Sequence, residues 1–83
     1  MALSPDSRWL AYVSNESGRD EVYVRPFPGV GDLTKWKVSS NGGNEPQWSH
    51  SGNEIFYRSL GDELLSVTVV TVPTFAIERQ RTL

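Results

Sequence analysis

His50, the only histidine, sits between Ser49 and Ser51, and the 83 residues contain no cysteine. Histidine beside a hydroxyl is the raw material of nucleophilic catalysis, in which the imidazole takes the proton as the oxygen attacks. That chemistry needs base and nucleophile to converge from separate elements, with an acid to orient the base. Neighbours in an extended turn point apart. No Gly-x-Ser-x-Gly elbow occurs to present a hydrolase serine. The expectation is that the isolated chain is no enzyme, that it has no catalytic residues, and that His50 lies at an exposed turn.

Gly29-Val-Gly31 begins like a dinucleotide fingerprint, but Thr34 stands where the third glycine belongs and no helical pattern follows. It reads as a loop. The carboxylates Asp6, Asp20, Glu21, Asp62 and Glu63 lack the Asp-x-Asp-x-Asp-Gly pattern of a calcium loop, so neither a metal nor a cofactor is expected. Asp6 reads instead as a turn-former whose carboxylate accepts nearby backbone amides, with Asp20 and Asp62 acting in the same way before the next strand. Gly52 is expected to close a further turn. Trp9, Trp48, Tyr12, Phe56 and Tyr57 read as residues that fill the space between sheets. Trp36, between Lys35 and Lys37, is the candidate surface contact.

The elements that position these residues read as strands. Apolar residues gather in short runs separated by Gly, Pro, Asn, Asp and Ser, and no window keeps a helical period. Strands are expected at Arg8–Ser14, Glu21–Arg25, Lys35–Ser39, Glu45–Trp48, Glu54–Ser59, Glu63–Val72 and Phe75–Thr82. In the first, Trp9, Ala11 and Val13 point one way and Leu10 and Tyr12 the other, which marks a strand covered on both faces.

An internal repeat organises the chain. Residues 3–14 align with 48–59 at an offset of 45, matching Ser4 with Ser49, Leu10 with Ile55, Tyr12 with Tyr57 and Ser14 with Ser59. Residues 20–24 align with 62–66 at an offset of 42, so the second copy has a shorter turn. A period of about 45 residues with four strands per unit is the sequence signature of a propeller blade.

Ser4-Pro5-Asp6-Ser7, the Trp9-Leu-Ala-Tyr strand and Asp20-Glu-Val-Tyr-Val24 resemble the WD40-like beta-propeller repeat of the TolB type, with Glu45-Pro-Gln-Trp-Ser49 opening a second copy. Val24-Arg-Pro-Phe-Pro28 is similar to C-terminal propeller segments of bacterial receptor-like Ser/Thr protein kinases. Ser7 departs from the family's turn glycine, and His50-Ser51 from its Pro-Asp. The resemblance implies an all-β fold of two four-stranded blades, the first spanning 1–44 without its innermost strand and the second 45–83. It also implies a non-catalytic self-assembly and interaction scaffold. The alternative is a ligand-sensing or regulatory propeller region of a bacterial kinase or TolB-like transport protein, with a protein or small molecule bound at the channel mouth.

A lone pair of blades leaves apolar outer faces, with Leu10, Tyr12, Ile55 and Tyr57 or their opposite-face neighbours as the residues concerned. A homo-oligomer is therefore expected, a trimer completing about six blades, with strand exchange filling the first blade. A net charge of -2, with only Lys35 and Lys37 close together, argues against nucleic acid as a partner. The stretch Leu64 to Val72 is too short for a membrane helix, and residues 1–7 form no signal peptide, so the chain as it stands is expected in the cytoplasm.

Overall fold

A computed structural model describes residues 1–27, 34–71 and 74–83. Strands β1 (Ala2–Leu3), β2 (Trp9–Ser14), β3 (Glu21–Pro26) and β4 (Trp36–Lys37) form one four-stranded sheet in chain order. Strands β5 (Asn44–Trp48), β6 (Glu54–Arg58), β7 (Leu64–Val70) and β8 (Ala76–Thr82) form the other. Every neighbouring pair is antiparallel, and no helix occurs among the described residues. The fold is all-β.

Register decides which residues share a face. Ala11 lies opposite Val24 and Val13 opposite Val22, whereas Leu10 opposes Arg25 and Tyr12 opposes Tyr23. In the second sheet Ile55 opposes Val67 and Tyr57 opposes Leu65, while Phe56 opposes Ser66 and Arg58 opposes Leu64. The core joins Ala11, Val22, Val24 and Val38 of the first sheet to Ile55, Tyr57, Leu65, Val67, Val69 and Phe75 of the second. Two sheets therefore stack through one face each, and every large apolar side chain buried there contributes roughly 1.5–3 kcal/mol. The remaining faces, with Leu10, Tyr12, Tyr23 and Arg25 on one and Phe56, Arg58, Leu64 and Ser66 on the other, point outward.

Some elements differ from the sequence reading. The edge beside β2, expected to lack a strand, carries β1, whose Ala2 and Leu3 pair with Ala11 and Leu10. The strand expected over Lys35–Ser39 contracts to Trp36–Lys37, because the amides of Val38 and Ser39 both turn to the carbonyl of Val22, at 2.7 and 3.4 Å. Ile55 and Tyr57 lie between the sheets, not on an outer face. Leu10 and Tyr12 do lie on an outer face, where Leu10 is nevertheless buried. All seven residues of β8 are exposed. The Gly29-Val-Gly31 loop, Pro28 and the Val72 end of the sixth expected strand lie outside the described residues.

Trp36 is half-buried and meets its neighbours through its ring. Its centroid lies 5.7 Å from that of Trp9 in an edge-on contact and 5.1 Å from that of Phe75. The Trp9 and Phe75 centroids are 5.5 Å apart, so the three rings close one margin of the core. The exposed part of this strand is carried by the flanking Lys35 and Lys37.

Candidate functional site

The turns that carry the repeat share one wiring. In the first, the Ser4 amide donates to the Trp9 carbonyl (2.8 Å), the Ser7 amide to the Ser4 carbonyl (2.9 Å) and the Trp9 amide to Ser4 Oγ (3.1 Å). In the second, the Ser49 amide donates to the Glu54 carbonyl (2.9 Å), the Gly52 amide to the Ser49 carbonyl (3.0 Å) and the Glu54 amide to Ser49 Oγ (3.2 Å). All three contacts shift by 45 positions. Both copies reverse the chain through a positive φ, 60° at Ser7 and 79° at Gly52. His50 is exposed beside Ser49.

Side chains divide the turns. Asp6 Oδ1 accepts from Ser4 Oγ at 2.6 Å and from the Arg8 amide at 3.1 Å, and these bonds, with that of Ser4 first, hold its carboxyl below the ordinary range. In the second copy Ser51 Oγ donates to Asn53 Oδ1 at 2.5 Å instead, so the neutral amide of Asn53 occupies the acceptor's place. Asp20 contributes its backbone, its carbonyl accepting from the Gly43 amide at 2.9 Å. Asp62 takes a φ of 68°, and its carboxylate faces Arg58 at 3.3 Å.

Among the described residues the carboxylate drawn furthest into the protein is Glu21, which is fully buried. Its Oε1 accepts from Ser39 Oγ at 2.5 Å and from the Gly42 amide at 2.8 Å. Oε2 meets Arg19 Nε at 3.0 Å and Lys37 Nζ at 3.3 Å. Burial pushes this carboxyl up, but the bonds from Ser39, Arg19, Gly42 and Lys37 outweigh it and hold it at about 2, below the ordinary 4.5. Both cations keep almost half of their side-chain surface in water, so the desolvation cost falls mainly on the carboxylate. Ser39 Oγ also accepts from the Val22 amide at 2.8 Å. The network ties β3 to the segment that leaves β4 for the second sheet. Nothing in the local sequence around Glu21 announces it, although the donor-rich run Ser39-Ser40-Asn41-Gly42-Gly43 is the signal that could have suggested a buried anion.

The two outer faces differ in kind. On the first sheet Tyr12 and Tyr23 stack at 5.8 Å, Arg25 lies 5.7 Å from the centre of the Tyr12 ring, and Lys35 lies 5.4 Å from that of Tyr23. Lys35 also pairs with Glu16 at the β2–β3 turn. A groove of about 280 Å³ runs past Met1, Leu10, Tyr12 and Arg25. On the second sheet Phe56 and exposed Leu64 line a groove of about 530 Å³ with Glu45 and Arg58, which are paired at 3.0 Å. Ser66 Oγ donates there to Glu54 Oε2 at 2.6 Å.

Among the described residues no group of three or more His, Cys, Asp or Glu side chains is placed to hold a metal ion, and no helix is long and apolar enough to cross a membrane. Set against protein-family models, curated proteins and solved structures, the chain matches none.

Proposed function

We propose that this chain is a non-catalytic assembly unit of two propeller blades, whose copies stack head to tail into a closed ring that serves as an interaction scaffold. The single observation that carries the reading is the chain's own sheet packing seen through its repeat. Leu10, Tyr12 and Tyr23, on the outer face of the first sheet, are the counterparts of Ile55, Tyr57 and Leu65 at offsets of 45, 45 and 42. Within the chain that second set is covered by the face carrying Trp9, Ala11, Val22 and Val24. The counterparts of those four are Glu54, Phe56, Leu64 and Ser66, which form the outer face of the second sheet.

One end of the unit thus carries the counterpart of the surface that would cover the other. Exposed Leu3, opposite Leu10, belongs to the first outer face, and exposed Leu64 and Val70 belong to the second. Dissimilar faces make a head-to-tail contact, and such contacts close when the rotation per copy permits. Three copies would give about six blades, within the range that propellers span. The β1 strand occupies the edge for which strand exchange was the expected remedy, so the ring requires face contacts alone.

Light scattering coupled to size exclusion tests this, with a trimer expected. Leu3→Glu blocks one face and Leu64→Glu the other, so each variant alone should run at lower mass. Mixed together they should recover a one-to-one dimer through the two intact faces. A folded wild-type monomer at micromolar concentration, or variants that fail to complement, would overturn the reading.

A further inference from the structure

Asn41-Gly42 is the one Asn-Gly pair in the sequence, and it lies in the segment joining the two sheets. Packing dictates the glycine. Its φ is 87°, and a Cβ at this position would lie 2.3 Å from the Leu60 side chain. Asn41 itself is exposed. An asparagine followed by glycine is the sequence in which backbone attack on the side-chain amide is least hindered, because no Cβ shields the attacking nitrogen.

The reaction makes demands on particular atoms. The Gly42 nitrogen loses its proton to solvent base and bonds to Asn41 Cγ. Nδ2 takes up a proton from solvent, the Cγ–Nδ2 bond breaks and ammonia leaves, closing a succinimide. Water then opens the ring at either carbonyl, leaving Asp or a β-linked isoaspartate at position 41. Every step therefore begins at the Gly42 N–H. That N–H is donated to Glu21 Oε1 at 2.8 Å, in a pocket where both residues are buried.

We propose that Asn41-Gly42 is a latent deamidation site that the Glu21 carboxylate holds closed. Removing a proton from an amide that already faces a buried anion would place two negative charges side by side at low dielectric. The same bond restrains the Gly42 peptide plane, whose nitrogen is the atom that has to reach Asn41 Cγ. Glu21 in turn is held by Ser39, Arg19 and Lys37, so the protection is built from two stretches of chain, one entering β3 and one running from the end of β4.

Opening the site would matter to the whole molecule. Gly43, the next residue, donates to the Asp20 carbonyl, and a Cβ there would lie 2.8 Å from the Tyr57 ring. An isoaspartate at 41 lengthens the backbone at the joint between the sheets, next to the bonds that the Gly42 and Gly43 amides donate to Glu21 and Asp20. Loss of the Glu21 bond would thus convert a stable link into a slow chemical timer for separation of the sheets.

The test follows deamidation at Asn41 by peptide-mapping mass spectrometry of the full chain at neutral pH. Asn15-Glu16 and Asn53-Glu54, both exposed asparagines followed by a bulky residue, serve as internal references. Glu21→Gln, shown folded by circular dichroism, should deamidate at least about tenfold faster at Asn41, a change of about 1.4 kcal/mol in barrier, with the references unchanged. A slower reaction in that variant would mean that Glu21 acts as the base, and an unchanged rate would mean that it has no part; either overturns the proposal. Should Glu21→Gln fail to fold, the wild type decides alone. Its Gly42 amide should exchange with deuterium more slowly than that of Gly18, which makes only an exposed turn bond to the Asn15 carbonyl. Its Asn41 should also outlast the same residue in the urea-unfolded chain, and failure of either comparison rejects the idea.

Discussion

The two sheets share a backbone and differ in where they keep their charge. The turns that enter β2 and β6 share their backbone bonds and their bond to a serine Oγ, yet the first sheet buries a carboxylate at Glu21 while its counterpart in the second, Glu63, stays exposed. The difference lies downstream. After β3 the chain returns with Ser39 and Gly42 to supply donors, whereas after β7 it runs into β8, whose side chains remain in water. Backbone geometry repeats because a turn needs only a hydroxyl, a tight reversal and a positive φ. A buried ion needs partners from distant segments, and the second copy lacks them.

The largest test of that contrast is Glu21→Ala against Glu63→Ala. Removing Glu21 leaves the buried Gly42 amide and Ser39 hydroxyl without their acceptor, and a loss of about 3–5 kcal/mol is expected. Glu63→Ala, at an exposed position, should stay within about 0.5 kcal/mol. Urea denaturation measures both, and equal losses would erase the distinction between the sheets.

Acid should act on the same network with a definite sign. The folded Glu21 carboxyl titrates at about 2 and its ordinary value is 4.5, so the folded state holds the charge more tightly than the unfolded chain does. Its contribution is complete above pH 4.5 and disappears as pH falls toward 2. Each pH unit between the two values is worth about 1.4 kcal/mol, or about 3 kcal/mol altogether. A series of urea midpoints from neutral pH downward should show this decline, and Glu21→Gln should flatten it.

Smaller effects separate the two turns. Asp6→Ala removes the acceptor of both Ser4 Oγ and the Arg8 amide, and should lower the melting temperature more than His50→Ala, whose position is exposed in the matching turn. The reverse order would assign the side-chain closure to the wrong copy. Smallest of all, Ser7→Gly should raise stability by about 0.5–1 kcal/mol, because a side chain at φ 60° is strained where the other turn has Gly52. Gly52→Ser should cost about as much, and thermal melts of both variants check the pair.

Much of the fold was legible because the strands declare themselves locally. Trp9-Leu-Ala-Tyr-Val13 alternates between two faces, and Ser4 and Ser49 mark the same turn at a fixed spacing. The two-residue β1 is too short to show alternation. The contraction of β4 arises from a shared acceptor, the Val22 carbonyl, that lies far away in sequence. The partners of Asp6, Ser4 and Arg8, sit two residues away on either side, within reach of a local reading. Glu21 was visible only as one of several carboxylates, since its donors Ser39 and Gly42 come from 18 and 21 positions downstream. Trp36, read as a surface contact, has its ring engaged by Trp9 and Phe75 because Phe75 arrives from the other sheet.

The full exposure of β8 sets the order in which the protein comes apart. Its residues bury no side chain after Phe75, so the strand is retained by its ladder to β7, by that one anchored ring and by a loose ion pair from Arg81 to Glu54 at 3.8 Å. Segments of this kind open by themselves at a free energy below that of global unfolding. Arg79 and Arg81 lie within it, so trypsin should cut there through that partial opening while the shared core of the sheets is still intact. The first proteolytic fragment would then report the lowest rung of the protein's ladder of excited states, with a rate that follows the local equilibrium and not the stability of the whole.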